Sequence, residues 1–356
     1  MRFCKMEKYS IFTEKTNGVN PFTLPPYRPS LCPGLLLALL RAAPLLILLP
    51  LLFLLELLVF QVEACSLALG SVARQVACRP LAHCVLFFLG VRTELSEARK
   101  EGLPRPPESH PGGATAPSAG GGVLYLVNSC SYLDALVLLA LKGSALGVLS
   151  AKGRVVRCTL LGAFLRGFQR GSVAQRALPV EGAAGNALAP LGARGASWAV
   201  LSLQPEGAPT NGRALLRLSG QGACEGLEGL ARAASAGGAP PPLPALRLLA
   251  LHYGCSGDGG KFSPCFLGAA SPWWHALCLL THWGSTVAAC TLPAGYDPLP
   301  MGAAEGDEAR SAAAWGAQIV ALWEHLLRRF NVRAVGSTRE DYARYIGMAQ
   351  GAGGAA

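Results

Sequence analysis

Metal-ligand spacings are missing from this chain. It has twelve cysteines, but none stands three residues from another as a C-x-x-C pair requires. Six histidines are present (His83, His110, His252, His275, His282 and His325), and none lies three or four residues from a second. Zinc sites are built from such close pairs, so no bound metal or cofactor is expected. The cysteines read instead as reduced, mostly buried thiols facing the cytosol. Acidic residues are scarce in one segment: residues 151–217 hold nine Lys or Arg against Glu181 and Glu206. Aromatic residues are scarce there too, with only Phe164, Phe168 and Trp198. Binding of single-stranded nucleic acid relies on aromatic stacking as well as charge, so no nucleic-acid partner is expected. Anionic lipid headgroups, a phosphorylated substrate or plain solvated charge remain open for the basic face. No internal repeat is present.

Charge is also nearly missing from residues 35–60, where Arg41 and Glu56 are the only exceptions and 15 of 26 residues are leucine. A bilayer's hydrocarbon core, about 30 Å thick, is crossed by roughly 20 apolar residues in a helix. The run is long enough, which makes membrane lipids the first expected partner. Only 14 uncharged residues separate Arg41 from Glu56, and Pro44 and Pro50 each remove a helical hydrogen bond. Lys15 and Arg28 before the run balance Arg74 and Arg79 after it, as they would if both ends faced the cytosol. A membrane hairpin and a tilted single span are the two readings, with a buried core helix behind them. A cleaved signal peptide is not expected, because 34 residues of mixed charge come first.

The remaining pattern predicts an α/β fold: a layered sheet with flanking helices, preceded by the membrane hairpin or span. Residues 1–33 form a polar N-terminal segment, 34–62 the anchor, 63–295 the α/β domain, 296–348 a C-terminal helical segment and 349–356 a disordered tail. Short apolar runs bounded by turn residues predict strands at 123–127, 198–203, 246–252 and 287–292. Helices are expected over 131–141 and, most clearly, 307–330, which opens on acidic residues and closes on Arg328 and Arg329. Residues 101–122 read as a flexible loop.

Two segments stand at the ends of expected strands. Asn128-Ser129-Cys130-Ser131-Tyr132-Leu133-Asp134 joins a strand to a helix, the place where α/β sheets gather ligands; Ser131 and Asp134 also fit a helix capping box. Pro205-Glu206-Gly207-Ala208-Pro209-Thr210-Asn211-Gly212-Arg213 comes after the next strand. Its glycines let backbone approach an anion and Arg213 can neutralise a phosphate, although a polar turn has the same composition.

In this order and spacing, the two segments resemble the motifs of the glycerolipid acyltransferase family. Asn128, Ser131 and Asp134 match its N-H-x-S-x-x-D block, Gly171 to Arg176 its G-x-x-x-x-R element, Glu206-Gly207 its E-G-T block, and Leu246 to Leu251 its apolar strand. The head, Met6-Glu7-Lys8-Tyr9 through Gly18-Val19-Asn20-Pro21-Phe22, resembles the fungal lysophosphatidic acid:oleoyl-CoA acyltransferase group. That resemblance implies a membrane-bound enzyme of the endoplasmic reticulum and lipid droplet, its domain facing the cytosol, that moves a fatty acyl group from acyl-CoA, its co-substrate, to a lysophospholipid such as lysophosphatidic acid. It places Ser129, Cys130 and Asp134 at the reaction centre and gives substrate binding to Asn128, Ser131, Arg176, Glu206, Gly207 and Arg213.

The chain departs from the family at two points. Ser129 occupies the position of the histidine base, and Ala208 that of the E-G-T threonine. A positioned base contributes roughly 10² to 10⁴ in rate, on the order of 3 to 5 kcal/mol of barrier, so its loss need not abolish catalysis. Cys130 offers an acyl-cysteine route, and His275 and His282 are conceivable substitutes. They belong to a tryptophan-rich stretch, Pro272 to Trp283, that reads as a second membrane contact or as core packing. The alternative function is a catalytically inactive adaptor or lipid-binding protein on the same acyltransferase scaffold.

Overall fold

The structure is a computed structural model of the 356-residue chain. It describes residues 7–16, 18–23, 31–99, 123–149, 155–168, 200–203, 208, 210–217, 245–255, 262–267, 271–293, 296, 319–328 and 330–351.

The leucine run forms one helix, α1 (Leu31–Cys65), continuous through Pro44 and Pro50. It is not a hairpin. Turning the chain back needs residues that accept turn conformations, and residues 35–60 contain no Gly, Asn or Asp. Two prolines each cost one hydrogen bond, a smaller disruption than an unpaired loop in apolar surroundings. One stripe of the helix, Ala38, Leu45, Leu52 and Val59, recurs every seven residues and is buried. The charges share that inward face. Arg41 donates to the carbonyls of Leu280, His282 and Trp283. Glu56 and Glu63 are buried against Arg74, and Glu63 also pairs with Arg157. From Pro33 to Leu58 every exposed residue is apolar.

Ser66 then caps α2 (Leu67–Ala73), accepting from the Leu69 N–H, and a π-helical turn over Arg74–Cys78 leads into α3 (Arg79–Phe88). Among the described residues the rest of the chain holds nine strands, interleaved with helices: β1 (Val91–Glu97), β2 (Val123–Val127), β3 (Ala145–Leu149), β4 (Val155–Cys158), β5 (Val200–Leu203), β6 (Ala214–Leu215), β7 (Ala245–Cys255), β8 (Ser285–Thr291) and β9 (Arg333–Ala334). Seven make one sheet in the order β1-β8-β7-β2-β5-β3-β4, and β6 pairs with β9. The large sheet is mixed, because β7 with β8 and β3 with β4 run antiparallel while the other neighbours run parallel.

Side chains alternate across it as strand geometry requires. Tyr125, Val127, Leu249, Leu251, Tyr253, Val287 and Ala289 face one layer; Leu124, Leu126, Leu248, Ala250 and Cys290 face the other. Against the first face lies α4 (Asp134–Lys142), whose residues 134–141 are all buried. It is sandwiched between the sheet and an outer layer of α1, α3 and α5 (Leu160–Phe168). Its C-terminal carbonyls are met from α3 and the π turn: Arg79 donates to Ala140 O and Gln75 to Lys142 O. The helix stops at Gly143, in the left-handed region at φ +58°. Helix α6 (Pro272–Thr281) packs on α1, with Thr281 against Gly34.

Helix α7 (319–328) covers the opposite face with Ile319, Leu322, Trp323, Leu326 and Leu327. The rest of the helix expected over 307–330 lies outside the described residues, as does the loop expected over 101–122. Helix α8 (Arg339–Gly351) packs Tyr342 and Tyr345 on Phe12 and Phe22 from the N-terminal segment. It carries helical order two residues past Ala349, where the sequence suggested that disorder begins.

Candidate functional site

The site begins where β2 reaches its carboxyl end beside its parallel neighbour β7, which runs on to Cys255. Beyond Val127 the backbone leaves the sheet, and Asn128 replaces the lost ladder with its carboxamide. Leu251 N donates to Asn128 Oδ1 at 2.7 Å, and Asn128 Nδ2 donates to Leu251 O at 3.0 Å. The chain then turns tightly into α4 around Asp134. Its Oδ2 accepts from Cys130 N at 2.8 Å and Ser131 N at 3.0 Å, and its Oδ1 accepts from the Tyr253 hydroxyl at 2.6 Å. Burial, reinforced by the Asp134 charge, pushes the Tyr253 phenol well above its ordinary range, so it stays a donor.

Two loops close over this turn. Thr210 N donates to Ser129 O at 2.9 Å, and the Thr210 hydroxyl donates to Ala214 O at 2.8 Å, folding residues 210–214 compactly. Gly212 completes that loop at φ +72°, where an added Cβ would stand 3.0 Å from Cys265 Sγ. From the other side Phe266 N donates to Cys130 O at 3.1 Å, and Ser131 Oγ donates to Pro264 O at 2.8 Å.

Asn128, Ser129, Cys130, Ser131 and Asp134 therefore form one buried turn, and Arg213, with an exposed side chain, sits on the loop that touches Ser129. Arg176, Glu206 and Gly207, and with them the Gly171 to Arg176 element, lie outside the described residues. The capping-box expectation is met in one direction: the Asp134 carboxylate reaches back to Ser131 N, while the Ser131 hydroxyl turns to Pro264. Asp134 thus shapes the turn with both oxygens. Cys130 is fully buried, with Asn128 Nδ2 3.2 Å from its Sγ; thiol nucleophiles act from exposed, electropositive settings, which this is not.

Of the two histidines considered as substitutes, His275 does reach the motif. Its Nε2 lies 3.4 Å from Ser263 O and its Nδ1 3.1 Å from the Tyr132 hydroxyl. A carbonyl can only accept, so Nε2 carries the proton and Nδ1 accepts from Tyr132. Phe262 and Phe266 wall the ring, and burial pushes its pKa down to about 4. His282 instead adjoins Arg41 and Phe262.

A histidine that sequence reasoning passed over lies closer to the 210–214 loop. His252 comes directly after Leu251 on β7 and projects to the opposite face from Tyr253. Its Nδ1 is 3.3 Å from Gly212 O, and its ring stacks on Phe330 with centroids 4.7 Å apart and planes 11° from parallel. The available signal was strand periodicity, which sets residue 252 out of phase with 251 and 253 at the end of an apolar run. Among the described residues no group of three or more His, Cys, Asp or Glu is arranged to hold a metal ion.

Comparison with known proteins found no match to any family model, any curated protein or any solved structure.

Proposed function

We propose that this chain is a membrane-bound acyltransferase that moves a fatty acyl group from acyl-CoA to a lysophospholipid, lysophosphatidic acid being the first candidate, on the cytosolic face of the endoplasmic reticulum and lipid droplets. The observation that carries the reading is the joining of two sequence-distant segments. Ser129, in the turn after β2, bonds Thr210, in the loop that carries Arg213. A reaction that brings an acyl thioester to a phosphate-bearing alcohol needs a preformed turn beside an anion-binding cation, since holding two reactants in register removes several kcal/mol of barrier. In this account Ser129 lines the reaction centre, Asp134 and Asn128 hold the turn that presents it, and Arg213, with Arg176, receives the phosphate. The resemblance also assigns Glu206 and Gly207 to substrate binding, the carboxylate orienting donors rather than meeting the anion.

The substrates are amphiphiles, and α1 supplies the surface from which they arrive. Its charges are all turned toward the protein, so the helix lies lengthwise against one leaflet with its leucines in lipid. Trp273, Trp274 and Trp283, all exposed, add amphipathic rings of the kind that settle at the headgroup level.

A second reading, an inactive scaffold that binds lipid without turnover, is favoured by the burial of Cys130 and by the engagement of both Asp134 oxygens. The two readings separate in a transfer assay with labelled oleoyl-CoA, lysophosphatidic acid and purified protein in vesicles. The enzyme reading expects transfer, and expects Arg213→Ala to raise the KM for lysophosphatidic acid about 10- to 100-fold, the worth of one charged hydrogen bond of about 1.5–3 kcal/mol. Lipid binding with no transfer in any preparation would establish the scaffold.

A further inference from the structure

The one carboxylate of the motif turn, Asp134, has both oxygens engaged in holding that turn, yet an alcohol attacking a thioester must shed a proton. Four of the described histidines are poorly placed to take it. His275 has both ring nitrogens engaged, His83 lies exposed on α3, His325 is half-buried with Nε2 at 3.4 Å from Arg99 O, and His282 adjoins Arg41 with its Nε2 buried. His252 differs from each. Because Gly212 O can only accept, the proton of the neutral ring resides on Nδ1, which leaves Nε2 with the basic lone pair. Among the described residues Nε2 makes no hydrogen bond. The ring is half-buried, held flat against Phe330, and tied to the loop that also carries Thr210, the partner of Ser129, and Arg213. The backbone one residue earlier is clamped by Asn128. The imidazole is thus tied through Gly212 to the 210–214 loop, and the residue before it on β7 is tied through Asn128 to the motif turn.

We propose that His252 is the general base of this site, doing from β7 what the histidine absent at position 129 does in the resembled family; the inference rests on the acyl-transfer reading above. The acceptor hydroxyl gives its proton to Nε2 as its oxygen bonds to the thioester carbonyl carbon. Collapse of the tetrahedral adduct breaks the C–S bond, and the leaving thiolate takes the proton back from Nε2. Ester, free CoA thiol and a neutral imidazole result, with nothing oxidised or reduced. The Nδ1 bond to Gly212 O keeps the ring oriented and eases its transient positive charge. Burial, and secondarily Arg213, hold the imidazole below its ordinary pKa against the opposing pull of that carbonyl, so the ring is unprotonated at neutral pH.

The test uses the full chain in lipid vesicles with oleoyl-CoA and lysophosphatidic acid. His252→Ala should lower kcat by about 10²- to 10⁴-fold while both KM values stay within a few-fold. His252→Asn, whose carboxamide can still donate to Gly212 O, should keep wild-type thermal stability and be as inactive. The wild-type profile of kcat/KM should fall on the acid side below pH 6.5, that limb should vanish in the variants, and added imidazole should restore part of the His252→Ala rate. Activity of His252→Ala within threefold of wild type, or an unchanged acid limb, would overturn the proposal. Absence of transfer by wild type would overturn the acyl-transfer reading and the base role with it. Mapping of diethyl pyrocarbonate adducts then tells whether the residue itself was misread: a reactive Nε2 shielded by lysophosphatidic acid keeps His252 at an acceptor-binding site, and an unreactive one contradicts even that placement.

Discussion

At the scale of single residues, the turn after β2 is held by side chains and backbone from far along the chain. Asn128 through Asp134 was recognisable as a strand-to-helix junction because the apolar run stops abruptly and gives way to short polar residues. The partners of those residues were not recognisable, since they come from far along the chain: Leu251 and Tyr253 stand 123 and 119 residues from the side chains they bond. The same separation hid the contact of Tyr132 with His275, 143 residues apart. That contact has a measurable consequence. An imidazole whose folded pKa is depressed to about 4 from 6.5 takes up its proton in the unfolded chain first. Stability from this residue is therefore whole above pH 6.5 and is lost as pH falls from 6.5 toward 4, by on the order of 3 kcal/mol at about 1.4 kcal/mol per unit. Denaturant unfolding at pH 7 and pH 4.5 should show this loss in wild type, and His275→Phe should remove most of it. An equal acid loss in the variant would place the sensitivity in other groups.

Whole elements were more legible than single contacts, and most legible where burial is two-sided. Strands β2, β5, β7 and β8 announced themselves as short apolar runs. Strand β1, Val-Arg-Thr-Glu-Leu-Ser-Glu, did not, because it lies at the sheet edge and shows polar side chains to water. For α1 the run predicted the helix, but its charges suggested a break that tertiary structure makes unnecessary. Glu56 and Glu63 are met by Arg74 and Arg157, and Glu56 also accepts from Leu160 N at 2.8 Å, capping α5. Removing one member of such a buried group strands the others at low dielectric, and costs about 3–5 kcal/mol. Arg74→Met is expected to destabilise by that amount, as read from urea unfolding in detergent. The Glu63→Met/Arg74→Met double variant, which leaves Glu56 opposite Arg157, should recover part of the loss. A double variant as unstable as the sum of its single substitutions would show that the charges do not act as a group.

At the scale of the whole molecule, the long helix and the sheet cannot be separated. Contacts to the body run from Gly34, against Thr281, to Glu63, against Arg74 and Arg157, 29 residues or roughly 44 Å of helix at 1.5 Å each. An upright crossing would draw α3 and the charged edge of β1 into hydrocarbon about 30 Å thick. A helix lying along the leaflet would instead leave the carboxyl end of β2 on the watery side, close to the surface that would hold the proposed acceptor lipid. Tags at the two termini of vesicle-bound protein should then be cleaved together by protease added outside. Protection of the N-terminal tag alone would mean that α1 crosses the bilayer.

Acyl transfer by this chain would leave a single direct product. Vesicles containing lysophosphatidic acid, given purified protein and water-soluble labelled oleoyl-CoA, should accumulate labelled phosphatidic acid in the lipid fraction with release of one free CoA thiol per acyl group moved. Protein that binds those vesicles firmly, yet yields no phosphatidic acid between pH 6 and 9, would contradict it.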